Sequence, residues 1–190
     1  ILHRIKDHLT DLLLVGTVLL AAFALTFLGF RLFYRAAYPV KYTGAVTAQA
    51  RAYDLDPHLV YAVIRTESGF RPEATSSMDA RGLMQLTPDT FHWVRYRLGE
   101  TGAADPALLY DPEENIRYGT ATLSLLLQRF CSPREALAAY HAGWGSVAGW
   151  LEDSRYSEDG QSLDDIPFGD TNAYVDKVLR TAEIYRRLYP

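Results

Sequence analysis

A carboxylate closes an apolar helical stretch in Glu67-Ser68-Gly69-Phe70. Further along the chain comes the loop-like Gly82-Leu83-Met84-Gln85. Local sequence leaves two readings of Glu67. It is either an exposed helix-end side chain or a buried general acid. Two effects favour the second reading. The negative end of a helix dipole disfavours a carboxylate, and apolar neighbours remove its solvation. Both raise its pKa. A proton kept near neutral pH can pass to a leaving glycosidic oxygen. Downstream, Ser76, Ser77, Gly82 and Gln85 supply small and hydrogen-bonding groups. Gly82 permits close backbone approach or a positive φ. Gln85 offers a donor and an acceptor for an N-acetyl amide.

These groups must be held by helices. Asp56-Pro57, Thr87-Pro88, Asp111-Pro112 and Ser132-Pro133 carry the same start signal. The side-chain oxygen caps free N–H groups, and proline at the first position lacks the N–H that would go unpaired. From Pro57, the residues Leu59, Val60, Val63 and Ile64 form a buried side, with Glu67 in the last turn. Ile116, Gly119, Thr120, Leu123, Leu126, Leu127 and Phe130 make one face at helical spacing, and Ala136, Leu137 and Tyr140 continue the pattern. A last helix over roughly 171–188 presents Tyr174, Val178, Ala182 and Tyr185. Residues 153–168 read as an acidic loop, and a short hairpin is expected near 82–85. The soluble part is therefore mainly α.

Composition narrows the function. The chain has 190 residues, 48% of them hydrophobic, enough for a real core. Thirteen Tyr, eight Phe and three Trp suit a core first and sugar stacking second. Net charge is −4, and the part beyond residue 41 is more acidic than the whole. No basic stripe is present, so nucleic acid is not an expected partner. The single cysteine, Cys131, reads as core filler inside a helix; it cannot form an intrachain disulfide or a Cys cluster for zinc. No metal and no cofactor are expected.

Residues 12–30 carry no charge and lie between Asp11 and Arg31. At ~1.5 Å per residue they span roughly 28 Å, close to the hydrocarbon thickness of a bilayer. Phe33, Tyr34 and Tyr38 follow, as at a membrane interface. The segment reads as one transmembrane helix rather than a cleaved signal, whose apolar core is usually shorter. The domain reading is a cytoplasmic stub and anchor over 1–35, a linker over 36–42 and a catalytic domain over 43–190. Basic flanks lean weakly toward a cytoplasmic C-terminal side, so orientation must come from function.

Four motifs in order carry a resemblance: Glu67-Ser68, Gly82-Leu83-Met84-Gln85, Ala139-Tyr140-His141 and Tyr174-Val175. With the stretch Leu109-Tyr110-Asp111-Pro112-Glu113-Glu114-Asn115-Ile116 between them, they resemble the catalytic domain of Slt-type lytic transglycosylases, glycoside hydrolase family 23, over about 43–188. The resemblance implies a lysozyme-like helical domain with a substrate groove. It implies cleavage of the MurNAc–GlcNAc β-1,4 bond of peptidoglycan without water. Glu67 would be acid first and base second, with the substrate's N-acetyl group in place of a second carboxylate. Ser76, Gln85 and Tyr140 match positions that hold the sugar and the glutamate. Tyr174 would sit near Glu67, and Met84 would line the groove floor. The family's usual Asn is His141 here, which stands at a substrate-binding position as a structural substitute or a pH-sensitive neighbour. The acidic residue of the last motif is Asp170, and Asp79 stands where glycine is common. The expected location is a single-pass membrane protein, held in the cytoplasmic membrane by residues 12–30, with the catalytic domain on the extracytoplasmic side and glycan strands as partner. Two alternatives remain: a hydrolytic muramidase using Asp79 or Asp170, and a wall-binding module without activity.

Overall fold

The computed structural model describes residues 2–130 and 132–190, with side chains from residue 13 onward except that of Cys131. The expectation for Cys131 therefore lies outside the described residues. The chain divides into two compact units that meet between Pro39 and Val40.

The first unit is a single helix, α1 (Leu2–Ala37). Its stretch Leu13–Ala37 is long and apolar enough to cross a membrane, and its large side chains are exposed. The helix continues two residues into the expected linker, so residues 38–42 are the part free of helix.

The second unit contains α2 (Thr43–Ala52), α3 (Pro57–Glu67), α4 (Pro88–Arg97), α5 (Pro112–Phe130), α6 (Pro133–Ala142), α7 (Trp144–Leu151) and α8 (Gly169–Leu188). All four capping pairs start helices. Asp56 accepts from the His58 amide at 2.9 Å and Thr87 from Thr90 at 3.2 Å. Asp111 accepts from the Glu113 and Glu114 amides, and Ser132 from Arg134. A fifth pair, Asp105-Pro106, opens a 3-10 helix over Pro106–Tyr110. Five residues are too few for a periodic pattern to reveal.

Helix α5 is the central post. Every residue from Tyr118 to Ser124 is buried, so packing surrounds it rather than meeting one face. It packs against α2, α4, α6 and the 3-10 helix. Helices α3 and α8 form the other large contact, with Val60, Val63 and Ile64 buried on one and Tyr174, Val178 and Tyr185 on the other. The expected hairpin is reduced to isolated bridges, with Arg81 pairing to Thr75 and to Leu86. The 82–85 turn lies between Arg81 and Leu86, with Gly82, Leu83 and Met84 buried, and draws its support from elsewhere in the chain.

Candidate active site

Glu67 is the last residue of α3, where the expected helix-end position put it. Its carboxyl lies deep among packed groups although the residue keeps some exposed surface. Burial pushes its pKa up to about 7, against smaller opposite pulls from the Tyr174 hydroxyl and the Lys177 ammonium. Desolvation is thus the main cause. The Tyr174 hydroxyl donates to Glu67 Oε1 at 2.7 Å, reaching across from α8. A hydrogen bond to a carboxylate favours its charged form. Tyr174→Phe is therefore expected to move the Glu67 pKa further upward, by about one unit. Titration of the Glu67 carboxyl signal by NMR checks the direction; a downward move would show that the phenol does not stabilise the carboxylate.

The next residue, Ser68, explains why the two motifs belong together. Its hydroxyl lies 2.8 Å from the Leu83 carbonyl and fastens the end of α3 to the 82–85 turn. The turn is held residue by residue. The Gly82 amide donates to Ala74 O at 2.9 Å. The Met84 amide donates to Asn115 Oδ1 at 2.7 Å, and the Tyr140 hydroxyl donates to Met84 O at 2.8 Å. Asn115 Nδ2 donates to Arg81 O at 2.9 Å and to Leu109 O at 2.7 Å. Gly82 has φ +76°, and a Cβ there would lie 2.0 Å from Leu109 O. No side chain fits.

The other expected sugar contacts are placed unevenly. Gln85 has φ 50°, and its Nε2 donates to Ala74 O and Gly82 O. Its donor is engaged internally, which leaves the amide oxygen as its recognition group. Ser76 is exposed, and its Oγ accepts from the Met78 and Ala80 amides at 3.2 and 3.1 Å. Met84 is a correction. It is 0% exposed, and it packs so tightly on Gly119 that a Cβ there would lie 2.4 Å from its sulfur. Its side chain supports the floor from below and cannot touch a sugar. Tyr140 is raised well above the ordinary phenol pKa by burial and by the Glu67 charge, which puts its hydroxyl near the carboxylate. His141 stacks on Tyr174, with ring centroids 4.5 Å apart, and its Nδ1 lies 3.1 Å from Thr171 Oγ1. The imidazole thus braces the ring that bonds Glu67.

Both alternative carboxylates are exposed and hydrogen-bonded to their own neighbours. Asp79 has φ 59°, which explains why glycine also suits this position. It is exposed and locked to Arg81 by two bonds of 2.9 and 3.0 Å, which hold its carboxyl below the usual range. Asp170 is exposed in the first turn of α8 and accepts from the Thr171 amide at 2.8 Å. Ser68, Asn115, Thr171 and Lys177 carry roles that the sequence reading did not give them. Lys177 could have been found, because it lies one helical turn beyond Tyr174.

The family described as Transglycosylase SLT domain matches residues 44–162. This chain belongs to that family. The soluble lytic murein transglycosylase of Salmonella typhimurium is 34% identical over 151 residues, covering 78% of this chain and 23% of that protein. The membrane-bound lytic murein transglycosylase C of Yersinia pestis is 33% identical over 168 residues, covering 77% of this chain and 47% of that protein. A solved structure of an inactive Glu-to-Gln mutant of the lytic transglycosylase Slt from Pseudomonas aeruginosa superposes with a TM-score of 0.68 at 33% identity, covering 80% of this chain and 25% of that one. The SLT chain thus spans about a quarter to about a half of the length of these relatives. Its mainly α fold is the lysozyme-like fold of the family.

Proposed function

We propose that this protein is a membrane-anchored lytic transglycosylase that cleaves the MurNAc–GlcNAc β-1,4 bond of peptidoglycan. The observation that carries the reading is the Glu67 carboxyl, held by Tyr174 and raised to about 7 by burial. Such a group is protonated often enough to give a proton and ionised easily enough to take one back. In the first step Glu67 protonates the glycosidic oxygen, and the bond to C1 of MurNAc breaks. The substrate's own N-acetyl oxygen stabilises the cationic C1. In the second step the Glu67 carboxylate takes the proton of the C6 hydroxyl, and O6 bonds to C1. The product is 1,6-anhydroMurNAc, and no water is consumed. Gln85, Ser76, Tyr140 and His141 position the sugar and the acid. Both steps are proton transfers through side chains, so the reaction calls for no metal or cofactor.

Two findings support this reading over hydrolysis. Asp79 is paired with Arg81, and Asp170 is exposed and accepts from the Thr171 amide, so neither shares the buried setting of Glu67. The relatives are named lytic murein transglycosylases. A Glu-to-Gln change in an inactive form of the Pseudomonas relative supports an essential glutamate in either reaction.

The domain division follows. Residues 1–35 serve as stub and anchor, 36–42 as linker and 43–190 as catalytic domain. The apolar stretch of α1 and the membrane-bound relative support the anchor. Glycan lies outside the cytoplasmic membrane, so the catalytic domain belongs on that side. A reporter active only in the cytoplasm, fused after Pro190, is expected to stay dark. A signal from that fusion would reverse the orientation and remove the enzyme from its substrate.

A further inference from the structure

The turn that carries Ser76 has no helix or sheet around it. The Asp79 amide donates to Ser76 O at 3.1 Å, and the Ser76 amide donates to Ala80 O at 2.9 Å. Ser76 Oγ accepts from the Met78 and Ala80 amides. These bonds shape the turn from within. They do not fix it to the rest of the domain, and Met78 within it is 79% exposed.

The turn is fixed at its two ends. Thr75 and Arg81 flank it and form an isolated bridge. Thr75 Oγ1 lies 2.8 Å from the Tyr110 hydroxyl. Arg81 Cζ lies 5.7 Å from the centre of the same ring. Arginines lie over rings elsewhere in the chain; here the ring also bonds the opposite end of the turn through its hydroxyl. Tyr110 ends the 3-10 helix that packs on α5. One aromatic side chain thus ties both ends of the turn to the central post of the fold.

Asp79 closes the ring of contacts. Its carboxylate oxygens accept from Arg81 Nε and Nη2 at 2.9 and 3.0 Å. This two-pronged geometry orients the guanidinium. Asp79 holds φ 59°, a conformation that glycine takes with less strain. Glycine would bring no carboxylate, so the aspartate is explained by its bond to Arg81 and not by its backbone. That bond also holds the carboxyl below its usual range. Asp79 therefore stays charged near pH 7, where Glu67 exchanges its proton.

The geometry points to Asp79, Arg81 and Tyr110 as a clasp that holds the Ser76 turn in place for the arriving glycan. This rests on the proposed peptidoglycan activity, in which Ser76 positions the sugar. A turn that is already ordered costs less to order on binding. The clasp therefore acts on substrate affinity and leaves the proton transfers alone, which separates KM from kcat.

The test compares the full chain in detergent with Asp79→Asn, Tyr110→Phe and the double variant on soluble glycan strands. Each single change is expected to raise KM about threefold at unchanged kcat, the scale of a surface ion pair or hydrogen bond. Both changes break the same clasp, so the double variant is expected to match the larger single effect and not the product of the two. In about 1 M salt the ion pair is screened, and the KM of wild type should approach that of Asp79→Asn. The Met78 and Ala80 amides should exchange hydrogen faster in all three variants, as read by NMR. Thermal melting checks that the fold is intact. Unchanged KM in both single variants, or effects that multiply, overturns the clasp. A fall in kcat for Asp79→Asn also overturns it and makes Asp79 a participant in the reaction. If wild-type protein does not cleave the strands, the proposed activity fails and amide exchange decides on the clasp alone: faster exchange upholds it, and unchanged rates overturn it.

Discussion

Glu67→Gln is expected to abolish glycan cleavage, lowering kcat by roughly 10³-fold or more. The size follows from the double duty of the residue. An amide can neither give the proton that releases the sugar nor take the proton of the C6 hydroxyl. The swap is nearly isosteric, and the amide oxygen can still accept from the Tyr174 hydroxyl, which now sits 2.7 Å from Glu67 Oε1. The fold should therefore persist. Stability gives an independent readout of the same site. Glu67 has an ordinary value of 4.5 in the unfolded chain and about 7 in the folded one. Below 4.5 both states hold the proton, and the side chain costs nothing. Between 4.5 and 7 the unfolded chain ionises while the fold keeps its proton, so wild-type stability falls as pH rises. The Gln variant has no such loss. Its Tm should match wild type at pH 4 and exceed it at pH 8 by roughly 7–14 °C, from about 1.4 kcal/mol per pKa unit and about 2–4 °C per kcal/mol for a chain of this size. Retained cleavage, or a Tm gain at pH 4 instead of pH 8, would contradict the acid's environment described here.

Asn115→Ala should be the most damaging change away from the reacting atoms. Asn115 is 0% exposed and bonds three backbone groups: the Met84 amide, Arg81 O and Leu109 O. Alanine leaves the Met84 amide and Leu109 O dry and unpaired, and Arg81 O with only its bond from the Leu86 amide. At about 1–3 kcal/mol for each buried group, with partial relaxation, the loss is about 3–5 kcal/mol. The 82–85 turn sits between isolated bridges and has no sheet to fall back on. Activity should fall further than stability alone explains, because small displacements of positioning groups cost up to ~10²-fold. Asn115→Asp separates the contributions. It keeps an acceptor for Met84 but sets a carboxylate against two carbonyls, so it should be no better than alanine. Denaturant melts with activity measured well below the transition check both. A midpoint unchanged by Asn115→Ala would show that the turn is held by other means.

Helix starts were legible because their signal is local. A capping oxygen followed by proline needs no tertiary partner, and each such pair proved to begin a helix. Glu67 was placed correctly because the apolar run before it counts out the turns of α3. What sequence could not show was how chain segments far apart share one turn. Asn115 lies in a polar stretch beside Ile116, and nothing in its neighbours says that it is buried against residues 81 to 84. Met84 misled for the opposite reason. Its motif suggested a surface role, whereas Gly119 on the central helix leaves a space that its thioether fills. Gln85 was read as a free amide, but its left-handed backbone turns the side chain back onto Ala74 and Gly82. Periodicity reports which residues face a core; it does not report which polar groups the core must satisfy.

The central claim is that one glutamate performs both proton transfers and that the C6 hydroxyl takes the place of water. Mass spectrometry of the products from purified sacculi treated with the full chain tests it most directly. Muropeptides one water lighter, ending in 1,6-anhydroMurNAc, are the predicted result. Reducing MurNAc ends would contradict it, and would point to water activated by a second carboxylate such as Asp79 or Asp170.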